Sequence, residues 1–188
     1  MLSFKHLLPA TLALSALLGL ADAAWNWGWC PTLPLQTPFD ISQYTGAWYE
    51  QRRDAAIPFE YGDCCKLTYT AQGDGSIKVD NQLLNPFTGS VDHVVGSAIN
   101  YGAQLYVGFF IFRNGDYRVI STDYTNYAVV YSCSSFLFFR SEVVWVMTRE
   151  QNPTATVLNQ AIGVVTSNLP FYPQSNWHNT VQGGSCKY

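Results

Sequence analysis

From Gly46 onward, short runs rich in β-branched and aromatic residues alternate apolar with polar positions, and turn residues separate them. The runs predict eight strands, over 47–53, 66–71, 76–84, 91–99, 104–111, 117–122, 127–132 and 142–148. The third shows the alternation plainly, with Ile77, Val79, Asn81 and Leu83 on one face and Lys78, Asp80 and Gln82 on the other. Gly73-Asp74-Gly75 and Asn114-Gly115 read as tight turns between neighbouring strands. Ahead of the strands, 24–38 is broken by Gly28, Pro31, Pro34 and Pro38 and predicts an irregular arm. Behind them, Asn152-Pro153 supplies an N-cap and a proline at the first helical position, and Val157, Ala161, Val164 and Val165 fall near one face at helical spacing. Leu169-Pro170 ends that helix. Sequential strands with short links and one late helix predict an all-β fold, an eight-stranded antiparallel up-and-down barrel with a C-terminal α-helix packed outside.

The N-terminus is read separately from the fold. Lys5 and His6 precede an apolar stretch over 7–20, and Ala21-Asp22-Ala23 offers an A-x-A cleavage site, so 1–23 is expected to be a secretory signal and 24–188 one mature domain. The stretch is too short to span a bilayer and Pro9 interrupts it, and no later apolar run is long enough to span. Charged residues make up only 12% of the chain, the net charge is −3 and no Lys/Arg cluster occurs, which argues against nucleic acid as a partner. Aromatics reach 15%, a composition suited both to strands and to the lining of an apolar ligand site. The five cysteines, Cys30, Cys64, Cys65, Cys133 and Cys186, all follow the signal. An oxidising compartment favours disulfides, and an odd count leaves one thiol over. There is no C-x-x-C pair and the histidines are scattered, so no metal site or cofactor is expected.

Three motifs in order carry a family resemblance. Gly46-Ala47-Trp48 opens the first strand, Thr122-Asp123-Tyr124 follows the sixth, and Arg149 ends the eighth. The set resembles the lipocalin family, and the stretch from Thr122 to Cys133 resembles its apolipoprotein D group, to which crustacyanin subunits and insect bilin-binding proteins are near. The resemblance implies that Gly46, Trp48 and Arg149 close the barrel base. It also implies disulfides Cys30 with Cys133 and Cys64 with Cys186, although this chain has Cys64-Cys65 where the group has one cysteine. Tyr44, Tyr69, Asn81, Phe109 and Trp145 match positions that line the group's pocket, and Arg118 stands where a relative has an aromatic residue. An inward Arg118 would favour a ligand carboxylate, and the alternative is an arginine that snorkels at the surface.

Parity from the motif residues sorts the remaining strands. With Trp48 inward, Glu50 and Arg52 also face in and are expected to pair; with Arg149 inward, so do Val143, Trp145 and Met147. Leu105, Val107 and Phe109 share a face, as do Cys65, Leu67 and Tyr69. Residues 55–62 are expected to form a lid at the mouth. The leading expectation is a secreted protein that binds and transports or sequesters a small hydrophobic ligand: a lipid, steroid-like molecule, carotenoid or bilin. Two alternatives stand beside it. One is an enzyme using Cys65 as an in-barrel thiol, with His93 the only candidate base. The other is a structural or pigment-assembly protein that forms a homodimer through Phe136, Phe138 and Phe139 in the loop after Cys133.

Overall fold

The computed structural model describes residues 25–57, 60–109, 112–184, 186 and 188. The expected signal segment lies outside the described residues, as do Pro58 and Phe59 of the expected lid and Phe110 and Ile111 of the fifth predicted strand. The chain runs β1 (Trp25–Trp27), α1 (Ile41–Tyr44), β2 (Gly46–Asp54), β3 (Asp63–Ala71), β4 (Ile77–Leu84), β5 (Val91–Tyr101), β6 (Gln104–Phe109), β7 (Phe112–Thr122), β8 (Tyr127–Phe136), β9 (Phe139–Thr148), α2 (Ala155–Asn168) and β10 (Trp177–Asn179). Strands β2 to β9 pair in sequence order, all antiparallel, and β9 returns to β2, so the eight close into a barrel. The short flanking strands β1 and β10 add to β9 and β2 respectively.

Two apolar cores follow from the alternation. One fills the barrel base with Tyr44, Trp48, Leu67, Tyr69, Leu105, Val119 and Met147, while Leu35, Phe39 and Ile41 plug it from below. The other lies on the outer wall, where Ala161 and Val165 of α2 pack on Val129 and Tyr131 of β8 and on Val144 and Val146 of β9. Tyr127-Ala128-Val129-Val130-Tyr131 is buried throughout because one face meets the interior and the other meets the helix.

Three local expectations need correcting. The N-cap of α2 is Thr154, whose side chain accepts from the Val157 N–H, so Asn152 and Pro153 precede the helix. Thr154 has the extended backbone that a cap needs, and its hydroxyl satisfies a first-turn donor. Asn114-Gly115 is not a turn but part of β7, with Gly115 opposite Val107. A Cβ at Gly115 would sit 3.2 Å from the Val107 carbonyl oxygen, so the glycine serves a close backbone approach. Phe136 and Phe139 are not in a long loop; they pair across a tight hairpin whose tip is Leu137 and Phe138. No helix among the described residues is long and apolar enough to cross a membrane.

Candidate functional site

The closed end is built around Arg149. Its guanidinium lies 3.7 Å from the centre of the Trp48 ring. Its nitrogens donate to the carbonyls of Tyr124 (2.9 Å), Ala47 (2.8 Å), Gln43 (2.8 Å) and Thr45 (2.9 Å). Gly46 has φ +94°, and a Cβ there would approach an Arg149 nitrogen to 3.3 Å, so the motif glycine supplies both the turn and the room. Trp48 Nε1 donates to the Tyr44 carbonyl at 2.8 Å. Asp123 orders the neighbouring turn by accepting from the backbone N–H groups of Asn126 (2.8 Å) and Tyr127 (3.0 Å). Burial opposes its charge, but the Asn126 side-chain amide, which donates to Asp123 Oδ2 at 2.8 Å, and then these backbone bonds outweigh it and hold the Asp123 carboxyl below its usual pKa.

A layer of tyrosines forms the floor above this base. The Tyr117 hydroxyl lies 2.8 Å from those of both Tyr44 and Tyr69. Burial pushes all three phenols above their usual range, so they act as neutral hydrogen-bonding groups. Above the floor is a cavity of about 800 Å³, within the size range of small-molecule sites. Tyr69, Asn81, Phe109 and Trp145 all line it. Tyr44 does not; it is fully buried in the floor beneath.

Arg118 is a correction. Tyr117 faces the cavity, so its neighbour Arg118 points to the outer wall, where its Nε meets Asp116 Oδ2 at 2.9 Å. The side chain expected to hold a ligand carboxylate is therefore outside the barrel. Tyr117 was the residue missed, and its parity with the buried, apolar Val119 was the signal for it.

The expected Glu50–Arg52 pair is also corrected. The β2–β9 register shifts between Glu50 and Arg52, and this bulge turns the next residue, Arg53, to the interior in place of Arg52. Arg53 NH1 meets Glu50 Oε1 at 2.8 Å, with both side chains buried. Arg52 instead packs its guanidinium over Trp177 on the outer wall, 4.9 Å from the ring centre. Thr180, from the C-terminal tail, donates to Glu50 Oε1 at 2.5 Å. Glu60 joins this cluster from the β2–β3 loop. Its Oε2 accepts from Trp145 Nε1 at 2.9 Å and lies 4.0 Å from Arg53 Nε. Burial, reinforced by the charge of Glu50, pushes Glu60 up to about 8. Glu60 sits in a loop, where no periodicity marks it, and sequence reasoning did not single it out.

The cysteines separate by face. Cys64 points outward and bonds Cys186 of the tail, S–S 2.03 Å, and Cys30 of the arm bonds Cys133 of β8, S–S 2.17 Å. Cys65 faces the cavity as a buried free thiol. Burial and then the charges of Glu50 and Glu60 raise its pKa far above the ordinary value, the opposite of an activated nucleophile. His93 lies on the exterior, 3.2 Å from Asp80. Among the described residues no group of His, Cys, Asp and Glu is placed to hold a metal ion.

This architecture matches a known family. Residues 39–171 match the family described as Lipocalin-like domain. The chain belongs to the lipocalins. Apolipoprotein D of Oryctolagus cuniculus is 36% identical over 169 residues, covering 86% of this chain and 87% of that protein. Bilin-binding protein of Pieris brassicae is 27% identical over 150 residues, covering 74% and 78%. Among solved structures, lobster apocrustacyanin A1 superposes with a TM-score of 0.76 at 20% identity, over 88% of this chain and 95% of that one. At that identity the likeness shows a shared fold. As a lipocalin, the chain has a family architecture suited to holding a small hydrophobic molecule inside the barrel.

Proposed function

We propose that this lipocalin is a secreted carrier that binds one small hydrophobic ligand in its barrel cavity and transports or sequesters it. The observation that carries this reading is the cavity of about 800 Å³ between the tyrosine floor and the mouth, lined largely by apolar and aromatic side chains. Burying about 300 Å² of apolar ligand surface would contribute roughly 7 kcal/mol before immobilisation and desolvation costs. Tyr69, Asn81, Phe109 and Trp145 contact the ligand in this reading. The disulfides suit an extracellular setting. Catalysis is not part of the proposal, because burial and the charges of Glu50 and Glu60 outweigh the pull of the Arg53 guanidinium and hold the Cys65 thiol protonated.

Native mass spectrometry of the mature chain, secreted from its own source without reducing agent, tests the reading. A bound mass that leaves on denaturation supports a non-covalent carrier and identifies the ligand. A mass that stays points to an adduct on Cys65. An empty monomer counts against the proposal. Unchanged ligand uptake by Trp145→Ala would remove the assigned pocket.

A homodimer is proposed through the exposed hairpin tip, where Phe136, Leu137 and Phe138 are exposed and Trp27, paired with Phe139, is exposed beside them. Sedimentation of the parent against Phe138→Ser decides it, and a parent that stays monomeric at high concentration rules it out.

A further inference from the structure

The polar chemistry of the cavity is one-sided. Among the described residues its lining presents the carboxylates Glu50 and Glu60 and no Lys, Arg or His; Asp116 also borders it, with its carboxylate turned to the outer wall. Asp116 is already committed, to Arg118 at 2.9 Å and to Gln104 at 2.9 Å. Glu50 and Glu60 instead share a hydrogen bond that needs the proton held by Glu60. The other bonds of Glu50 among the described residues fall on Oε1, from Arg53 and Thr180, and that of Glu60 falls on Oε2, from Trp145. Two strands away on β4, Asn81 Oδ1 is buried with no hydrogen-bond partner among the described residues. Buried acceptors require donors, and one guanidinium, from Arg53, serves two carboxylates.

We propose that the ligand of this cavity is an apolar amine, whose protonated nitrogen seats on the Glu50–Glu60 pair while its hydrocarbon body fills the space above Tyr69 and Tyr117. The proposal rests on the carrier reading and names the ligand class of the same cavity. An ammonium brings up to three donors and no acceptor, so it can take the place of the proton shared between the two acids and donate to both. A ligand carboxylate would meet like charge with no free cation to receive it, and its desolvation would go uncompensated.

Charge balances through a proton. The titratable or charged groups around Glu60 are Glu50 and Arg53 of β2 and Cys65 and Tyr69 of β3, while β9 presents only the neutral indole N–H of Trp145. Asp63, at the start of β3, is tied to His178 at 2.8 Å. The thiol and phenol stay neutral, so Arg53 and one carboxylate charge cancel when Glu60 holds its proton. When the ammonium enters, Glu60 gives its proton to solvent, and two cations face two carboxylates.

Calorimetric titration of the delipidated, disulfide-intact mature chain with decylamine, decan-1-ol and decanoate tests this. At about pH 7, decylamine should bind about tenfold more tightly than decanol, and decanoate about tenfold more weakly. Repeating the decylamine titration in buffers of different ionisation enthalpy should show close to one proton released at about pH 7, falling toward zero by about pH 9.5. In Glu60→Gln the amine-over-alcohol ratio should fall toward one. Equal affinity for decanoate and decylamine, absent proton release, or an unchanged ratio in the variant overturns the proposal and leaves the carrier reading standing. Failure of all three compounds to bind removes the carrier reading with it.

Discussion

Glu60→Gln also tests the buried acid through stability alone, with no ligand present. Glu60 titrates near 8 in the folded protein against an ordinary value of 4.5, because burial and then the charge of Glu50 disfavour its ionised form. Between those values the folded state holds a proton that the unfolded state has released. Stability therefore falls as pH rises through this window and levels off above about 8. The whole window corresponds to on the order of 4–5 kcal/mol. The Glu60 side chain is 14% exposed, and water at the mouth relaxes part of this, leaving a removable share on the order of 2 kcal/mol. Glutamine reproduces the protonated acid: its carbonyl can accept from Trp145 Nε1 and its NH₂ can donate toward Glu50, yet it never ionises. In non-reducing urea titrations, parent and variant should agree within about 0.5 kcal/mol near pH 5, and the variant should be more stable by about 2 kcal/mol near pH 9. The carboxyls of Asp40, Asp74, Asp92 and Asp123 sit below their usual range, so their contributions are lost only as pH falls below about 4, outside this window. Identical slopes for the two proteins between pH 5 and 9 refute the assignment.

Arg149→Met should lower stability by about 3 kcal/mol in the same urea assay, since it removes charge-assisted bonds to several carbonyls and the contact over Trp48; a loss under about 1 kcal/mol would show that the base holds without its latch. Trp145→Ala should weaken uptake of a neutral apolar probe at least about tenfold, because the indole lines the cavity and ties down Glu60; fluorescence titration measures it, and an unchanged Kd moves the ligand elsewhere. The non-reduced mature chain should show one titratable thiol in denaturant and react at least about a hundredfold more slowly when native, because Cys65 is buried and held protonated; prompt native labelling would mean that the thiol is reachable.

The barrel was legible because its signals are local and repeat. Alternation in β4 fixes which of Ile77 to Leu83 line the interior, and the motif residues Trp48 and Arg149 anchor the parity of the first and last barrel strands. Legibility stopped where the period breaks. One extra residue in β2 exchanged Arg52 for Arg53, and nothing in Glu50-Gln51-Arg52-Arg53 marks a bulge before the register with β9 is known. Arg118 stands at a familial pocket position, which leaves its direction open, and the parity of its own strand decides it by putting Tyr117 inward. Glu60 belongs to a loop, where side-chain direction depends on tertiary contacts with Trp145 and Arg53 that no spacing encodes. Cys64 and Cys65 separate by parity once the tail carrying Cys186 is known to run outside the wall.

The bulge also explains how a polar cluster persists in the wall of an apolar cavity. A regular β2 would aim Glu50 and Arg52 inward and leave Arg53 on the outer wall, where the guanidinium over Trp177 now belongs to Arg52. With the extra residue, Arg53 reaches Glu50 from inside at 2.8 Å and donates to the Gly62 carbonyl at 3.0 Å, while Thr180 of the tail supplies another donor to Glu50. The neighbouring Cys64–Cys186 bond secures that tail. Breaking it by Cys186→Ser should therefore act at a distance: Thr180 loses its restraint and Glu50 loses a donor, so the charge of Glu50 is less compensated and opposes the ionisation of Glu60 more strongly. The pH window of falling stability should then deepen relative to the parent, beyond the uniform loss expected from opening a long loop. A loss that is the same at pH 5 and pH 9 would separate the disulfide from the cluster and confine its role to chain entropy.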